Sequence, residues 1–219
     1  MSSLNILSGG AAQGLVASLT AAFEAQTGFD IAGEFGAVGA MADKLRKGTP
    51  TDIVILTAAL VAKLAEEKLV AAGSMADVGL VETALAVRTG DPEAAARDAA
   101  DLREALLASD AIFVPDTKAS TAGIHVANVL QQLGIADEVA TRLRIFPNGA
   151  SAMRELAASE ARRPIGCTQS TEIISTKGVT LSGSLPPGCE LATMYTAGVT
   201  TAAAHPQQAQ DLIDLLIGA

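Results

Sequence analysis

Short apolar runs alternate with amphipathic stretches along the first third of the chain. A run of consecutive apolar residues closed by small residues is typical of a strand in a buried parallel sheet. Apolar residues three and four positions apart indicate one face of a helix. We predict strands at 4–7, 30–35 and 52–56, each followed by a helix, the third helix covering 58–70. This order predicts a parallel sheet with helices on both faces.

The rest of the chain continues the alternation of strands and helices. Further strands are predicted at 79–87, 111–114, 144–146, 164–168, 178–181 and 189–200, and helices at 92–107, 121–133, 151–158, 170–175 and from Pro206 onward. The two longest strands, 79–87 and 189–200, enclose the middle block. We therefore predict an α/β protein of two lobes, in which 84–188 is inserted into a lobe made of 1–83 and 189–219.

Composition and charge exclude several classes of protein. The 219 residues are 49% hydrophobic and 18% charged, which excludes a disordered chain. A net charge of −9 and 3% aromatic residues argue against nucleic acid and anionic membranes as partners. No apolar run is long enough to insert into a membrane. Without a recognisable signal peptide, the sequence as written predicts a cytoplasmic protein, or a periplasmic one if it is a mature form whose leader was removed.

Few residues are available for metal or cofactor chemistry. Two cysteines and two histidines make a structural metal site improbable, so we expect no metal. We favour free buried thiols at Cys167 and Cys189, although a bridge between them is possible in a secreted protein. The sequence carries no dinucleotide fingerprint, phosphate-binding P-loop or Ser-His-Asp triad, so we expect no cofactor.

Five predicted strand-to-helix loops are small and rich in hydroxyl groups. They are Ser8-Gly-Gly-Ala, Gly36-Ala-Val-Gly, Lys118-Ala-Ser-Thr, Pro147-Asn-Gly-Ala-Ser and Gln169-Ser-Thr. Ligands of α/β folds lie at the carboxyl ends of strands, against helix N-termini. Since backbone N–H groups and positive helix ends favour anions, these loops predict a site for a small anion.

Four separated motifs resemble a known family. The runs LNILSGGAAQGL, GEFGAVGAMADKLRKGTPTDIVILT, STAGIH and RPIGCTQSTEI occur in the order found in molybdate-binding proteins, a type II class of periplasmic solute-binding protein. The resemblance covers nearly the whole chain. It implies a two-lobed Venus-flytrap fold with two crossover strands, which closes a cleft on a small anionic ligand.

The same resemblance implies which residues bind the ligand. The serine hydroxyls of the family fall on Ala11 and on Val38 or Gly39, its tyrosine falls on Gln169, and its backbone donors fall on Ala122 and Ser151. Because these hydroxyls are altered, we expect an organic carboxylate instead of molybdate. The candidate ligand-binding residues are Ser8, Gly9, Gly10, Ala11, Gly36, Val38, Gly39, Ser120, Thr121, Ala122, Ser151, Gln169 and Ser170.

Two classes of function remain open. The first is a solute-binding protein, which would hand its ligand to an ABC permease if it is exported. The second is an isomerase without a cofactor, because some proteins that resemble this family move a proton on unsaturated tricarboxylates such as aconitate. The titratable candidates for that step are His125, Glu34 and Lys118.

Each candidate also has a simpler structural interpretation. Gly9 and Gly10 are compatible with a tight turn, and the hydroxyl groups of Ser120 and Thr121 with helix capping. A lone histidine on a helix, such as His125, is more often a hydrogen-bonded structural residue than a proton carrier. Glu34 is compatible with an exposed carboxylate at a sheet edge.

Overall fold

The computed structural model describes residues 2–94 and 96–218. By their contacts they form two compact units, Met1–Leu80 with Met194–Ala219 (unit 1) and Val81–Thr193 (unit 2). Strands and helices alternate in both units, which confirms the predicted α/β class. The lobe boundaries placed at 83/84 and 188/189 stay a prediction.

Unit 1 is built around a sheet with three parallel strands. Its elements are β1 (Ser3–Gly9), a 3-10 turn (Gly10–Ala12), α1 (Gln13–Thr27), β2 (Asp30–Gly36), α2 (Val38–Arg46), β3 (Ile53–Thr57), α3 (Ala58–Glu66), the start of β4 (Ala76–Arg88), most of β9 (Ala192–Val199) and α9 (Pro206–Gly218). The strand order is β2-β1-β3-β9. Strands β1, β2 and β3 are parallel, and β9 is antiparallel to β3.

The core of unit 1 explains why these elements form. Helices α1 and α9 pack against each other and bury the apolar faces that carry Val16, Phe23, Leu212 and Ile213. Strand β3 is a run of apolar residues that are all buried until Thr57, as expected of an inner strand.

Unit 2 contains a mixed sheet. Its elements are most of β4, α4 (Ala99–Ala108), β5 (Ala111–Pro115), α5 (Thr121–Gln132), α6 (Ala136–Val139), a 3-10 turn (Ala140–Arg142), β6 (Leu143–Phe146), α7 (Gly149–Ala158), β7 (Pro164–Gln169), α8 (Ser170–Ile174) and β8 (Val179–Ser184). The order β4-β7-β5-β6 continues through β8, which pairs with the other edge of β4. Strands β5, β6 and β7 are parallel, whereas β4 is antiparallel to β7 and β8.

Alternate residues of the unit 2 strands enter two separate cores. On β5, Ile112 and Val114 pack into one cluster with α5 residues, while Ala111 and Phe113 pack into another with Met153 of α7. Since successive strand residues point to opposite faces, both faces of this sheet are covered. Helices on both faces of a parallel sheet were predicted from the sequence.

Several predicted elements have wrong boundaries. The strand predicted from 79 begins at Ala76, and the helix predicted from 151 begins at Gly149. The helix predicted at 92–107 begins at Ala99, because the Asp98 carboxylate caps it by accepting from the Asp101 N–H group at 2.8 Å; of its predicted range, residue 95 lies outside the described residues. The third helix ends at Glu66, just before the left-handed Lys68. The strand predicted from 189 starts at Ala192.

Membrane insertion has no support in the helices. Among residues 2–94 and 96–218, no helix combines the length and the apolar composition that a membrane crossing requires.

Asp52 ties three parts of unit 1 together. Its carboxylate, in a residue only 1% exposed, accepts from the backbone N–H groups of Asn5 at 2.8 Å and His205 at 2.9 Å. The first donor belongs to β1, and the second directly precedes α9. Asp52 therefore holds the start of β3 against β1 and the residue before α9.

We expect Asp52→Ala to lower the free energy of unfolding by about 3 kcal/mol, because two partly buried N–H groups lose a charged acceptor. Asp52→Asn keeps one acceptor oxygen and is expected to lose about half as much. Urea titration measures both values. The control is Asp43→Ala at an exposed ion pair, which should change stability by less than about 0.5 kcal/mol. An equal loss in all three variants would contradict this role.

Candidate functional site

The carboxyl ends of adjacent parallel strands bring the unit 1 candidates together. Gly9 at the end of β1 pairs in register with Gly36 at the end of β2. Ser8, Gly10 and Ala11 are buried beside Gly9, and Val38 begins α2 directly after the second strand. Gly39 follows it, half-buried. The predicted first and second loops are therefore neighbours in unit 1.

Helix starts at this edge of unit 1 lack side-chain caps. The residues that precede the 3-10 turn, α2 and α3 are Gly9, Ala37 and Thr57, and among the described residues no side chain caps any of these three starts. The first-turn N–H groups of a helix have no partner within the helix. They carry a partial positive charge that favours an anion.

Packing accounts for one of the glycines. A Cβ atom on Gly9 would lie 2.7 Å from a ring carbon of Tyr195 and 2.8 Å from Cγ1 of Val38. Gly9 is thus required for close packing within unit 1. The Ser8 hydroxyl group donates to the carbonyl oxygen of Gly9 at 2.9 Å, so it is engaged by its own loop.

The α5 loop of unit 2 is ordered by Asp116. Its carboxylate accepts from the N–H groups of Lys118 at 2.7 Å and Ala119 at 3.0 Å. The simpler interpretation of Ser120 as a helix cap is wrong, because this residue precedes α5 without a capping hydrogen bond from its side chain. Thr121 is half-buried and Ala122 is buried at the first turn of that helix.

The α7 loop differs, because its first N–H groups are already bound. Asn148 accepts from the Ser151 N–H group at 2.8 Å through its side chain. Gly149 lies against the carboxylate of Glu172, and the backbone N–H groups of Gly149 and Ala150 lower the pKa of that carboxyl group. The hydroxyl group of Ser151 contacts the Arg154 guanidinium at 3.0 Å.

Glu172 is a buried carboxylate that the sequence analysis missed. It accepts from the Thr168 hydroxyl group at 2.6 Å, and the backbone N–H group of Gln169 also lowers its pKa. Burial raises the pKa of Glu172, and these hydrogen bonds oppose the rise. A signal was present in the sequence, since a glutamate three residues after a helix N-cap has the spacing of a capping box.

Four other polar side chains of unit 2 have buried atoms without a partner among the described residues. Gln169 is 3% exposed, and both its side-chain amide nitrogen and oxygen are without a partner among the described residues. The same holds for the buried hydroxyl oxygens of Thr83, Thr171 and Thr193. Thr83 stands directly opposite Gln169 in the β4–β7 register. We call these four residues the polar cluster; Ser170 lies between two of them in the sequence and is half-buried.

The candidates for proton transfer are engaged elsewhere or exposed. Nε2 of His125 lies 2.8 Å from the carbonyl oxygen of Cys189, so this nitrogen carries the proton and donates it. Glu34 forms an exposed ion pair with Lys44. Lys118 is exposed. Their assignment to a catalytic step stays a prediction.

Both cysteines are free thiols in the interior. Burial raises the pKa of Cys167 to about 12. At neutral pH this thiol is therefore protonated and unreactive.

The chain belongs to the family of bacterial extracellular solute-binding proteins, which matches residues 4–219. This family gives no support to the cytoplasmic location expected from the sequence. It confirms the resemblance to periplasmic solute-binding proteins and the class of protein predicted from the four motifs.

Solved structures show the same type II fold. The periplasmic molybdate-binding protein of Azotobacter vinelandii matches with a TM-score of 0.81 and 17% identity, over 99% of this chain and 93% of that one. The sulfate-binding protein SubI of Mycobacterium tuberculosis matches with a TM-score of 0.76 and 17% identity, over 99% and 82%.

An aconitate isomerase from Pseudomonas sp is 23% identical over 99% of this chain and 82% of its own length.

We expect Gly149→Ala to destabilise the protein by about 2 kcal/mol, because the new Cβ would lie 1.9 Å from Oε2 of Glu172 and 2.1 Å from the Thr168 hydroxyl oxygen. Chemical denaturation measures the loss. Gly73→Ala is the control, since nothing lies within 4 Å of its Cβ position. If the two variants are equally stable, the contact at Gly149 is not a constraint.

The pKa of Glu172 also predicts a pH dependence. Because folding raises this pKa, the folded state binds more protons, and the carboxyl group lowers stability progressively as pH rises above about 4.5. We expect Glu172→Gln to be more stable than the parent at pH 8, with the difference shrinking toward pH 4. Thermal unfolding across this range measures the effect. A constant difference at all pH values would contradict the assignment.

Proposed function

We propose that this solute-binding protein binds a small organic anion at its strand-to-helix loops. The observation that carries the proposal is the polar cluster. Buried polar groups in native proteins are nearly always hydrogen-bonded, and an unmade bond costs about 1–3 kcal/mol. A ligand that supplies oxygen atoms to Gln169 and to the threonine hydroxyl groups removes this cost.

The donors of the proposed site are neutral. They are backbone N–H groups at uncapped helix starts, hydroxyl groups and one amide, in a protein whose net charge is −9. Such donors bind an anion by direction and short distance, without a cationic side chain. We therefore expect the site to select its ligand by the positions of the ligand's oxygen atoms more than by the ligand's net charge.

An organic carboxylate fits these residues better than molybdate. Ala11 and Val38 are buried and have no hydroxyl group where the resemblance implies one. The amide of Gln169 both donates and accepts, so it suits a ligand that combines carboxylate oxygens with a hydroxyl or protonated carboxyl group. A fully deprotonated oxyanion offers no donor to the amide oxygen.

The family supports an extracytoplasmic setting for this role. In that setting we propose a periplasmic location and an ABC permease as the partner that receives the ligand. Both follow from membership in the family of extracellular solute-binding proteins.

A second candidate function is an isomerase that moves a proton on an unsaturated tricarboxylate. The relative named aconitate isomerase supports it, at 23% identity over almost the whole chain. In this case the polar cluster holds carboxyl groups of the substrate, and His125, Glu34 or Lys118 is the candidate for the proton transfer.

We expect Gln169→Leu to stabilise the protein without ligand and to weaken its binding of organic anions at least tenfold. Leucine has nearly the volume of glutamine and removes two unpartnered polar atoms, but it also removes the bonds to a ligand. Calorimetry with citrate, aconitate, molybdate and sulfate, together with thermal unfolding, measures both effects.

The matched control is Gln131→Leu, an exposed position on α5, which should leave affinity unchanged. Submicromolar binding of molybdate by the parent would contradict the preference for carboxylates. Parental affinity in Gln169→Leu would remove the polar cluster from the site.

The isomerase is tested with aconitate in D2O. Proton transfer through solvent replaces the exchanging C–H protons with deuterium, which proton NMR records as a loss of signal over time. We expect exchange if the second candidate is correct and none if the protein only binds. If exchange occurs, the variants His125→Asn, Glu34→Gln and Lys118→Met show which of the three candidates contributes.

A further inference from the structure

The carboxylate of Glu172 joins three elements of unit 2. It accepts from the Thr168 hydroxyl group near the end of β7 at 2.6 Å and lies against Gly149 at the start of α7. The backbone N–H groups of Gly149, Ala150 and Gln169 lower its pKa. Two of these elements carry candidate ligand residues, Ser151 on α7 and Gln169 before α8. One buried carboxylate therefore links two helix starts that carry candidate ligand donors.

We propose that Glu172 is a positioning residue, whose carboxylate fixes the start of α7 against the start of α8 and so sets the spacing of the ligand donors in unit 2. The inference rests on the proposed anion binding. Under this proposal the N-terminus of α7 does not bind the ligand directly. The carboxylate of Glu172 occupies that helix start instead.

The local geometry is shaped around this contact. Gly149 is the residue that permits it, because a Cβ atom there would overlap the carboxylate. Glu172 itself is only 5% exposed. A displacement of the carboxylate would therefore move the Gly149 and Gln169 backbones, and with them the donors that follow.

Backbone dipoles, and not cations, surround the carboxylate. The charged residues on the packed elements are Arg154 and Glu155 of α7 and Lys177 after α8, and within the described residues no charged group contributes to the electrostatics of Glu172. Cys167 on β7 is neutral. A bound anion near Gln169 is thus opposed by the ionised carboxyl group and not by its protonated form.

The test compares Glu172→Ala, Glu172→Gln and the exposed control Glu155→Gln on α7. Amide hydrogen exchange of the protein without ligand measures how firmly the backbone near Glu172 is held. In Glu172→Ala we expect the amides of Gly149, Ala150 and Gln169 to exchange about tenfold faster, whereas glutamine keeps an acceptor oxygen and near-parental protection. Parental protection of these amides in Glu172→Ala would overturn the proposal.

Calorimetry with aconitate and citrate as probes measures the affinity of each variant between pH 5 and pH 8. We expect the affinity of the parent to fall as pH rises, that of Glu172→Gln to vary less, and that of Glu172→Ala to be about tenfold weaker at every pH. Glu155→Gln should follow the parent. Faster exchange with unchanged affinity and pH profile would overturn the link to binding.

The two proposals fail differently. If neither probe binds the parent but Glu172→Ala loses protection at the three amides, the positioning stands and the proposed organic-anion binding falls. If the probes bind and Glu172→Gln shows the pH profile of the parent, anion binding stands and the role of the Glu172 charge falls.

Discussion

Parallel strands impose one constraint from which most of each unit follows. When neighbouring strands run in the same direction, every return passes through a helix, and all helix starts gather at the carboxyl edge of the sheet. In unit 1 this places Gly9 beside Gly36. In unit 2 it gathers the starts of α5, α7 and α8 at the ends of β5, β6 and β7. Unsatisfied N–H groups then accumulate where a ligand can bind.

Two buried carboxylates of the protein are held by uncharged donors. Asp52 accepts backbone N–H groups at the start of β3, and Glu172, after the end of β7, accepts the Thr168 hydroxyl group and has its pKa lowered by nearby backbone N–H groups. A buried charge is costly unless it is hydrogen-bonded, and the backbone and hydroxyl donors to these two carboxylates carry no formal charge. The first contact organises a fold, whereas the second lies among candidate ligand residues, and that difference in place gives Glu172 its proposed role.

Much of the architecture was predictable because it depends on local patterns. Periodicity located the strands of both units, and the four motifs by themselves indicated the family. The boundaries at Ala99 and Glu66 were missed because a capping carboxylate and a left-handed residue overrode helix-favouring composition. The antiparallel course of β4 and β9 depends on pairing between distant segments, which periodicity does not record.

The candidate site was predictable as a set of loops but not as a set of contacts. Ser120, Thr121 and Gln169 stand at helix starts, as expected. The state of each N–H group depends on side chains distant in sequence, so the occupation of the α7 start by Glu172 could not be predicted from the loop alone. The one sequence signal for this contact was the capping-box spacing between Gln169 and Glu172.

The acidic composition and the proposed anionic ligand are compatible for a physical reason. Long-range repulsion between surface charges is screened over about 10 Å at moderate salt, whereas a hydrogen bond acts at contact distance. A site of N–H groups, hydroxyl groups and one amide therefore gains its affinity after the ligand has arrived and lost its water. The net charge of −9 slows the encounter with an anion more than it weakens the bound state. In this arrangement the alignment of the donors determines affinity, and a residue that controls alignment, as Glu172 is proposed to do, affects binding without touching the ligand.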